Sequence, residues 1–252
     1  MGLKPLFEMT RPKAVLAGII GIVSAVFLTG ADQMLLLPAV MTIAFLTSAG
    51  NVINDYYDLK IDKVNRPDRP IPSGRVSLKG AKIFATVLFF IGIMASLSLT
   101  PLCILIAFIN TFLLLIYAGL FKRSGFLGNI IVGGMVGSVF IFGAVLNGSL
   151  ITGIMLAVLV FFVASAREVL KDLGDIRGDR AGGAKTLPIN RGIRKSKMII
   201  VSFLVLFMLS SPLPYLAGLL PIAYLIVIVA ADFLFARVIF NLFRKSSVKI
   251  PW

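Results

Sequence analysis

Histidine is absent from this chain, and cysteine occurs once, at Cys103. The first absence removes imidazole catalysis and histidine-ligated zinc, and the second removes an intrachain disulfide. Charge is scarce as well: 14% of the 252 residues are charged and only 11 are acidic. A water-soluble globule carries about 25% charged residues, so this chain cannot coat itself for water. Its bulk is apolar instead, with 58% hydrophobic residues and a mean hydropathy of +1.00. Apolar stretches of about 20 residues recur, the length that crosses roughly 30 Å of hydrocarbon. The alternating ten-residue strands of a membrane barrel are missing. The sequence predicts an all-α integral membrane protein.

Eight spans can be drawn, at 14–29, 34–54, 80–99, 101–120, 127–146, 150–170, 196–211 and 214–241. The first follows Arg11-Pro12-Lys13 and runs through 30–32 straight into the second, so it is read as a retained helix and not as a cleaved leader. Pro212 and Pro214 mark a turn in a stretch too long for one helix. Short joints at 30–33, 100–101, 147–149 and 211–214 separate some neighbours; longer polar loops at 55–79, 121–126 and 171–195 separate the others. The net charge of +14 could suggest a nucleic-acid partner, but its distribution points to the membrane. All 25 Lys and Arg residues lie in the long loops, at their edges or near the termini, and none lies in a short joint. By the positive-inside rule both termini and the long loops face the cytoplasm of a cell-membrane protein.

Seven of the 11 acids fall in two segments, at the ends of the second and sixth spans. The first segment contains Asn51, Asn54, Asp55, Asp58 and Asp62; the second contains Glu168, Asp172, Asp175 and Asp179. Asn54, Asp58 and Asp62 are spaced i, i+4, i+8, with Asn51 one turn earlier, and Asp172, Asp175 and Asp179 are spaced i, i+3, i+7. Either spacing puts oxygen-bearing side chains on one helical face. Such oxygens suit Mg²⁺, which takes one or two carboxylates and fills its remaining positions with water and substrate phosphate. Like charges 4 Å apart repel by roughly 4 kcal/mol at an effective dielectric near 20, so two facing acidic helices require something cationic between them. The blander reading, two solvated loops with ordinary acids, does not explain why both segments leave the same end of an even-numbered span.

Basic residues interleave with these acids, and for most of them a topology signal is sufficient explanation. Arg11, Arg66 and Lys122 are candidates for neutralising a diphosphate leaving group. Tyr56 and Tyr57 lie inside the first motif and Tyr117 ends the fourth span. An aromatic face can steady an allylic cation, while an interfacial aromatic belt is the plainer alternative. Gly133, Gly134 and Gly137 in the fifth span read as close helix packing. Asp232 in the eighth span would pair with Arg237 or with a donor on another helix.

Asn54-Asp55-x-x-Asp58-x-x-x-Asp62 and Asp172-x-x-Asp175-x-x-x-Asp179 resemble the paired motifs of the UbiA superfamily of intramembrane prenyltransferases. The resemblance runs from Arg11 to the eighth span. Within the superfamily, Asn65-Arg66-Pro67-Asp68-Arg69-Pro70-Ile71-Pro72-Ser73-Gly74-Arg75, Arg167-Glu168, Lys171-Asp172, Gly178-Asp179 and Thr186-Leu187-Pro188-Ile189 look like archaeal digeranylgeranylglyceryl phosphate synthases. The resemblance implies one transmembrane prenyltransferase domain over 1–252, a bundle around a central cavity open to the cytoplasmic side. It implies transfer of a geranylgeranyl group from its diphosphate to geranylgeranylglyceryl phosphate, with two Mg²⁺ ions bridging the diphosphate. The ions would be held by Asn54, Asp58, Asp175 and Asp179. Asp58, Asp175, Asp62 and Asp172 would serve catalysis; Arg11, Arg66, Lys122 and Asn51 the diphosphate; and Tyr117 the prenyl cation. The partners are then a prenyl diphosphate, a lipid-like glyceryl phosphate acceptor and membrane lipid, with no nucleic acid.

The family typically carries nine spans, against eight counted here, and the tail beyond Phe243 is basic and too short to cross. The motif order also suggests a pseudo-repeat of 1–125 and 126–252. Three other readings remain open: a UbiA-type enzyme with an aromatic acceptor, a CDP-alcohol phosphotransferase, whose acidic run in one segment is not found, and a transporter, which would place its charges near the midplane.

Overall fold

In the computed structural model, residues 2–121 and 125–244 are described. Helix α1 (Leu3–Met9) precedes eight long helices: α2 (Pro12–Thr29), α3 (Leu36–Tyr57, entered through a 3₁₀ turn at Gln33–Leu35), α5 (Leu78–Ser96), α6 (Pro101–Gly119), α7 (Phe126–Ala144), α8 (Leu150–Ala181), α9 (Leu187–Ser210) and α11 (Ile222–Arg244). The short α4 (Leu59–Asn65) follows α3, and the single turn α10 (Leu213–Leu216) precedes α11. Each of the eight is long and apolar enough to cross a membrane, and no strand occurs among the described residues.

The helices begin and end where local chemistry dictates. Ser77, Thr100 and Ser149 accept hydrogen bonds from backbone N–H groups three residues on, capping α5, α6 and α8. Pro12 and Pro101 stand in first turns, where a missing N–H costs nothing. The outer faces are apolar: Phe90, Phe112, Leu209, Val227, Phe233 and Phe240 are all exposed, a surface suited to hydrocarbon and unsuited to water.

Helices α7 and α8 make the most extensive contact in the molecule. Gly133 and Gly137 allow it, because a Cβ on either would collide with Ser165, Phe161 or the Ala157 carbonyl of α8. Gly134, turned about 100° from its neighbour, faces open space. The expected glycine contact is therefore made by two of the three residues.

Three of the four cation-free joints meet at one end of the bundle. The Ser149 N–H donates to the Thr29 carbonyl (2.7 Å), the Asp32 N–H to the Leu146 carbonyl (2.8 Å), and the Thr100 hydroxyl to the Val145 carbonyl (3.0 Å). The basic segments gather at the other end. There, two stretches expected to be loops are largely helical. α8 runs to Ala181 instead of stopping near 170, and α9 starts at Leu187 with a break at Gly192 (φ 81°) before its spanning part. Polarity ended the apolar pattern without ending the helix. In span eight Asp232 takes its partner from another segment, accepting from the Ser211 hydroxyl at 3.0 Å.

Candidate functional site

The first acidic motif straddles a joint. α3 ends at Tyr57, Asp58 caps it with φ −85° and ψ 0°, and α4 begins at Leu59. The helical hydrogen bonds nevertheless continue across it, from the Asp58 N–H to the Asn54 carbonyl (3.0 Å) and from the Asp62 N–H to the Asp58 carbonyl (2.8 Å). The expected i, i+4, i+8 face therefore survives. The second motif lies wholly on the extension of α8.

Asn65, at the end of α4, joins the two motifs. Its Nδ2 donates to the Asp175 carbonyl (3.1 Å), and its Oδ1 accepts from the Gly178 N–H (2.9 Å). The next residue, Arg66, donates through Nη2 to both Asp175 carboxylate oxygens at 3.1 and 3.2 Å. Glycine at 178 is what lets α4 lie this close, since a Cβ there would run into the Asn65 carboxamide. Gly178→Ala is expected to push the two motifs apart and lower kcat about a hundredfold, the loss that ångström-scale misplacement brings. Helical content by circular dichroism should not change. Adding Asn65→Gly, which removes the obstruction, should recover part of the activity. An unaltered kcat in Gly178→Ala would show that this joint does not set the site.

Arg69 holds the acids of motif one. Its Nη1 lies 3.1 Å from Asp55 and 2.7 Å from Asp62, while Arg11 lies 2.5 Å from the same Asp55 oxygen. Burial pushes the Asp62 carboxyl above its ordinary range; Arg69 pulls it back down, and Asp58 and Asp55 push it up again. Burial also disfavours the Arg69 charge, but Asp55, Asp62 and Asp58 outweigh it and keep the guanidinium firmly protonated. Asn51 donates to the Thr10 carbonyl (2.9 Å), and Asp172 accepts from Asn129 of α7 (2.9 Å).

These side chains open on one cavity of about 780 Å³, within the range of small-molecule sites. Of the expected residues, Arg11, Asn51, Asn54, Asp58, Asp62, Arg66, Tyr117, Asp172, Asp175 and Asp179 all line it. Lys122 falls outside the described residues. Tyr56 and Tyr57 do not line the cavity; they pack edge-on against each other, 5.1 Å between ring centres. Beyond the carboxylates the walls become apolar, through Leu46, Ile106, Leu114, Val139 and Phe142. The oxygens of Asn54 (Oδ1), Asn129 (Oδ1) and Thr186 (Oγ1) are buried at the cavity without a hydrogen-bond partner. Orphaned acceptors of this kind are costly unless something polar or cationic meets them. Asn65, Arg69, Asn129, Glu168 and Lys171 carry no individual signal in the sequence, although all but Asn129 lie in or beside the two acidic motifs.

The chain matches the model of the UbiA prenyltransferase family over residues 14–251. Digeranylgeranylglyceryl phosphate synthase of Methanococcoides burtonii is 42% identical, the match covering 93% of this chain and 86% of the relative. The enzyme of that name from Methanoculleus marisnigri is 39% identical, with 100% and 90% covered. A solved structure of a digeranylgeranylglyceryl phosphate synthase superposes with a TM-score of 0.77 at 34% identity, over 96% of this chain and 88% of that one. A UbiA homologue from Archaeoglobus fulgidus, solved with GPP and Mg²⁺, gives a TM-score of 0.82 at 14% identity, over 98% and 91%, a likeness of fold. This chain belongs to the UbiA prenyltransferase family and is a multi-pass membrane prenyltransferase.

Proposed function

We propose that the enzyme transfers a geranylgeranyl group from geranylgeranyl diphosphate to the free hydroxyl of geranylgeranylglyceryl phosphate, making the second ether bond of an archaeal lipid. The observation that carries this reading is the convergence of both acidic motifs on a single cavity whose far walls are apolar. The names of the relatives supply the acceptor. The charge asymmetry of the two ends supports an orientation with the site on the cytoplasmic face of the cell membrane. The chain reads as one domain, with 1–125 and 126–252 as a proposed repeat, each half contributing one motif.

The residues fit Mg²⁺. Asn54 Oδ1 is a hard oxygen with no partner, and Asp58, Asp175 and Asp179 line the same cavity. Among the described residues no three acidic groups form a closed cage, which suits an ion that completes its coordination with substrate phosphate. Asn54 and Asp58 would hold one ion, and Asp175 and Asp179 a second. Held there, the ions would supply positive charge against the leaving diphosphate.

Arg66, which grips Asp175, and Arg11 would add positive charge around the diphosphate; Lys122, the third basic residue expected there, lies outside the described residues. Asn51 helps hold the diphosphate. Asp62, tied to Arg69, and Asp172, tied to Asn129, would each fix the face of their own motif for catalysis. The Tyr117 ring and apolar walls surround the allylic C1 and exclude water. The acceptor oxygen bonds to C1 as the electron pair of the broken bond leaves with the diphosphate. With no histidine present, the hydroxyl proton passes to an aspartate of the site or to the departing diphosphate.

A product assay with purified enzyme and geranylgeranyl diphosphate tests this. With geranylgeranylglyceryl phosphate and an aromatic acceptor offered together, the diether phosphate is expected as the dominant product. Prenylation of the aromatic compound instead would overturn the acceptor assignment.

A further inference from the structure

We infer that the α2–α8 side of the cavity carries a phosphate-monoester subsite, formed by Lys171, Arg167 and Lys13, that grips the headgroup of the acceptor lipid. The inference rests on the acceptor proposed above and specifies how that acceptor is held.

Glu168 is a buried carboxylate on the cavity wall. Lys171 Nζ lies 2.5 Å from one of its oxygens and Arg167 Nη1 2.9 Å from the other. A residue serving only as a topology signal needs no such anchor, because a lysine can extend its ammonium into water. Here a buried acid fixes two cations at the edge of a cavity that both of them line. Lys has three donors and Arg five; one of each is spent on Glu168, so several remain for a ligand. Lys13, on the first turn of α2, lines the same cavity. Arg11 also lines the cavity but has its own partner in Asp55.

The charges balance a monoester. Lys13, Arg167 and Lys171 against Glu168 leave two positive charges, and a phosphate monoester carries about −1.5 to −2 at pH 7. The position also fits. Lys171 precedes Asp175 by four residues, just over one turn or about 6 Å along α8. Where the prenyl ether and the phosphate occupy the two terminal carbons of the glycerol, the free hydroxyl is on the central carbon, next to the one bearing the phosphate. A phosphate held at Lys171 therefore presents the hydroxyl toward the cleaving C1–O bond, without drawing on the oxygens that face the diphosphate.

Calorimetry in detergent, without donor or divalent metal, tests this with geranylgeranylglyceryl phosphate and its dephosphorylated counterpart, geranylgeranylglycerol. The native enzyme is expected to prefer the phosphate by tenfold or more. Lys171→Met and Arg167→Gln are each expected to weaken phosphate-lipid binding about tenfold, as loss of a charge-assisted hydrogen bond does, with little change for the alcohol. Arg167 is largely exposed, so Arg167→Gln folds even if Lys171→Met does not, and Lys171→Arg should restore much of the preference. With Mg²⁺ added, the affinity of both variants for geranylgeranyl diphosphate should stay within about twofold of the native value. Variants that keep the full preference, or whose loss falls on the diphosphate, overturn the subsite. Equal native affinity for the two lipids does so too, even if ether product forms. A preference lost in the variants beside a native enzyme that makes no ether would uphold the subsite and defeat the proposed transfer.

Discussion

Alanine at Asp175 is expected to lower turnover by roughly a hundred- to a thousandfold, and alanine at Asp58 by as much, the range seen when one group facing developing charge is removed. The two carboxylates come from different helices, yet each lines the same cavity. Losing either leaves one half of the proposed clamp with a single oxygen ligand from the chain, Asn54 or Asp179. Asp175→Ala has a second effect, since Arg66 loses the carboxylate it grips at 3.1 and 3.2 Å and its position at the cavity is no longer defined. The fold should tolerate the change. Asp175 sits on the part of α8 beyond the lipid-facing bundle, and Asn65 binds the Asp175 carbonyl, which alanine also supplies. Ether formation measured at saturating donor and acceptor, beside a thermal midpoint close to native, is the check. Near-normal turnover in either variant would remove these residues from the reaction.

Arg69→Met is expected to cost about 3–5 kcal/mol of stability, the penalty for leaving a buried charge without its counter-ion. Asp55 would keep Arg11, but among the described residues Asp62 pairs with Arg69 alone. The effect should depend on pH with a definite sign. Burial already raises the Asp62 carboxyl above 3.8, and removing Arg69 takes away the influence that lowers it. A carboxylate whose folded value lies above its unfolded one binds protons more readily in the native state. The variant's deficit is therefore full above the raised value and shrinks as the pH falls through it toward 3.8. Thermal midpoints in detergent across the acid range provide the measurement. A deficit that grows on acidification would mean that the lost pair is not what destabilises the variant.

Much of this could be seen in the chain before any coordinates. The spans were legible because hydrocarbon imposes its length on them, and the two ends because 25 cations avoid every short joint. The residues around the cavity were legible because oxygens repeat at helical spacing. What escaped was of two kinds. α8 continues to Ala181 because its polar extension still packs, with α4 lying against it; hydropathy sees only the loss of apolar residues. Asn65, Arg69 and Asn129 act through partners that sequence spacing does not reveal. Asn65 reaches Gly178 across 113 positions, and Asn129 reaches Asp172 across 43. Their side chains carry no signature of their own, since an asparagine that bridges two helices looks like any other until both helices are placed. Tyr56 and Tyr57 show the converse. Membership of a motif did not bring them to the cavity, because they point away from the face that Asn54 and Asp58 share.

The central claim is that two acidic helices form one metal–diphosphate clamp. An experimental structure with Mn²⁺ in place of Mg²⁺, and a thiolo analogue of geranylgeranyl diphosphate that cannot ionise readily, tests it most directly through anomalous scattering from the metal. The account predicts two peaks, one at Asn54 and Asp58 and one at Asp175 and Asp179, with the diphosphate between them and the prenyl chain along the apolar wall past Leu114. Metal bound at only one motif, or a diphosphate lying away from both, would contradict it.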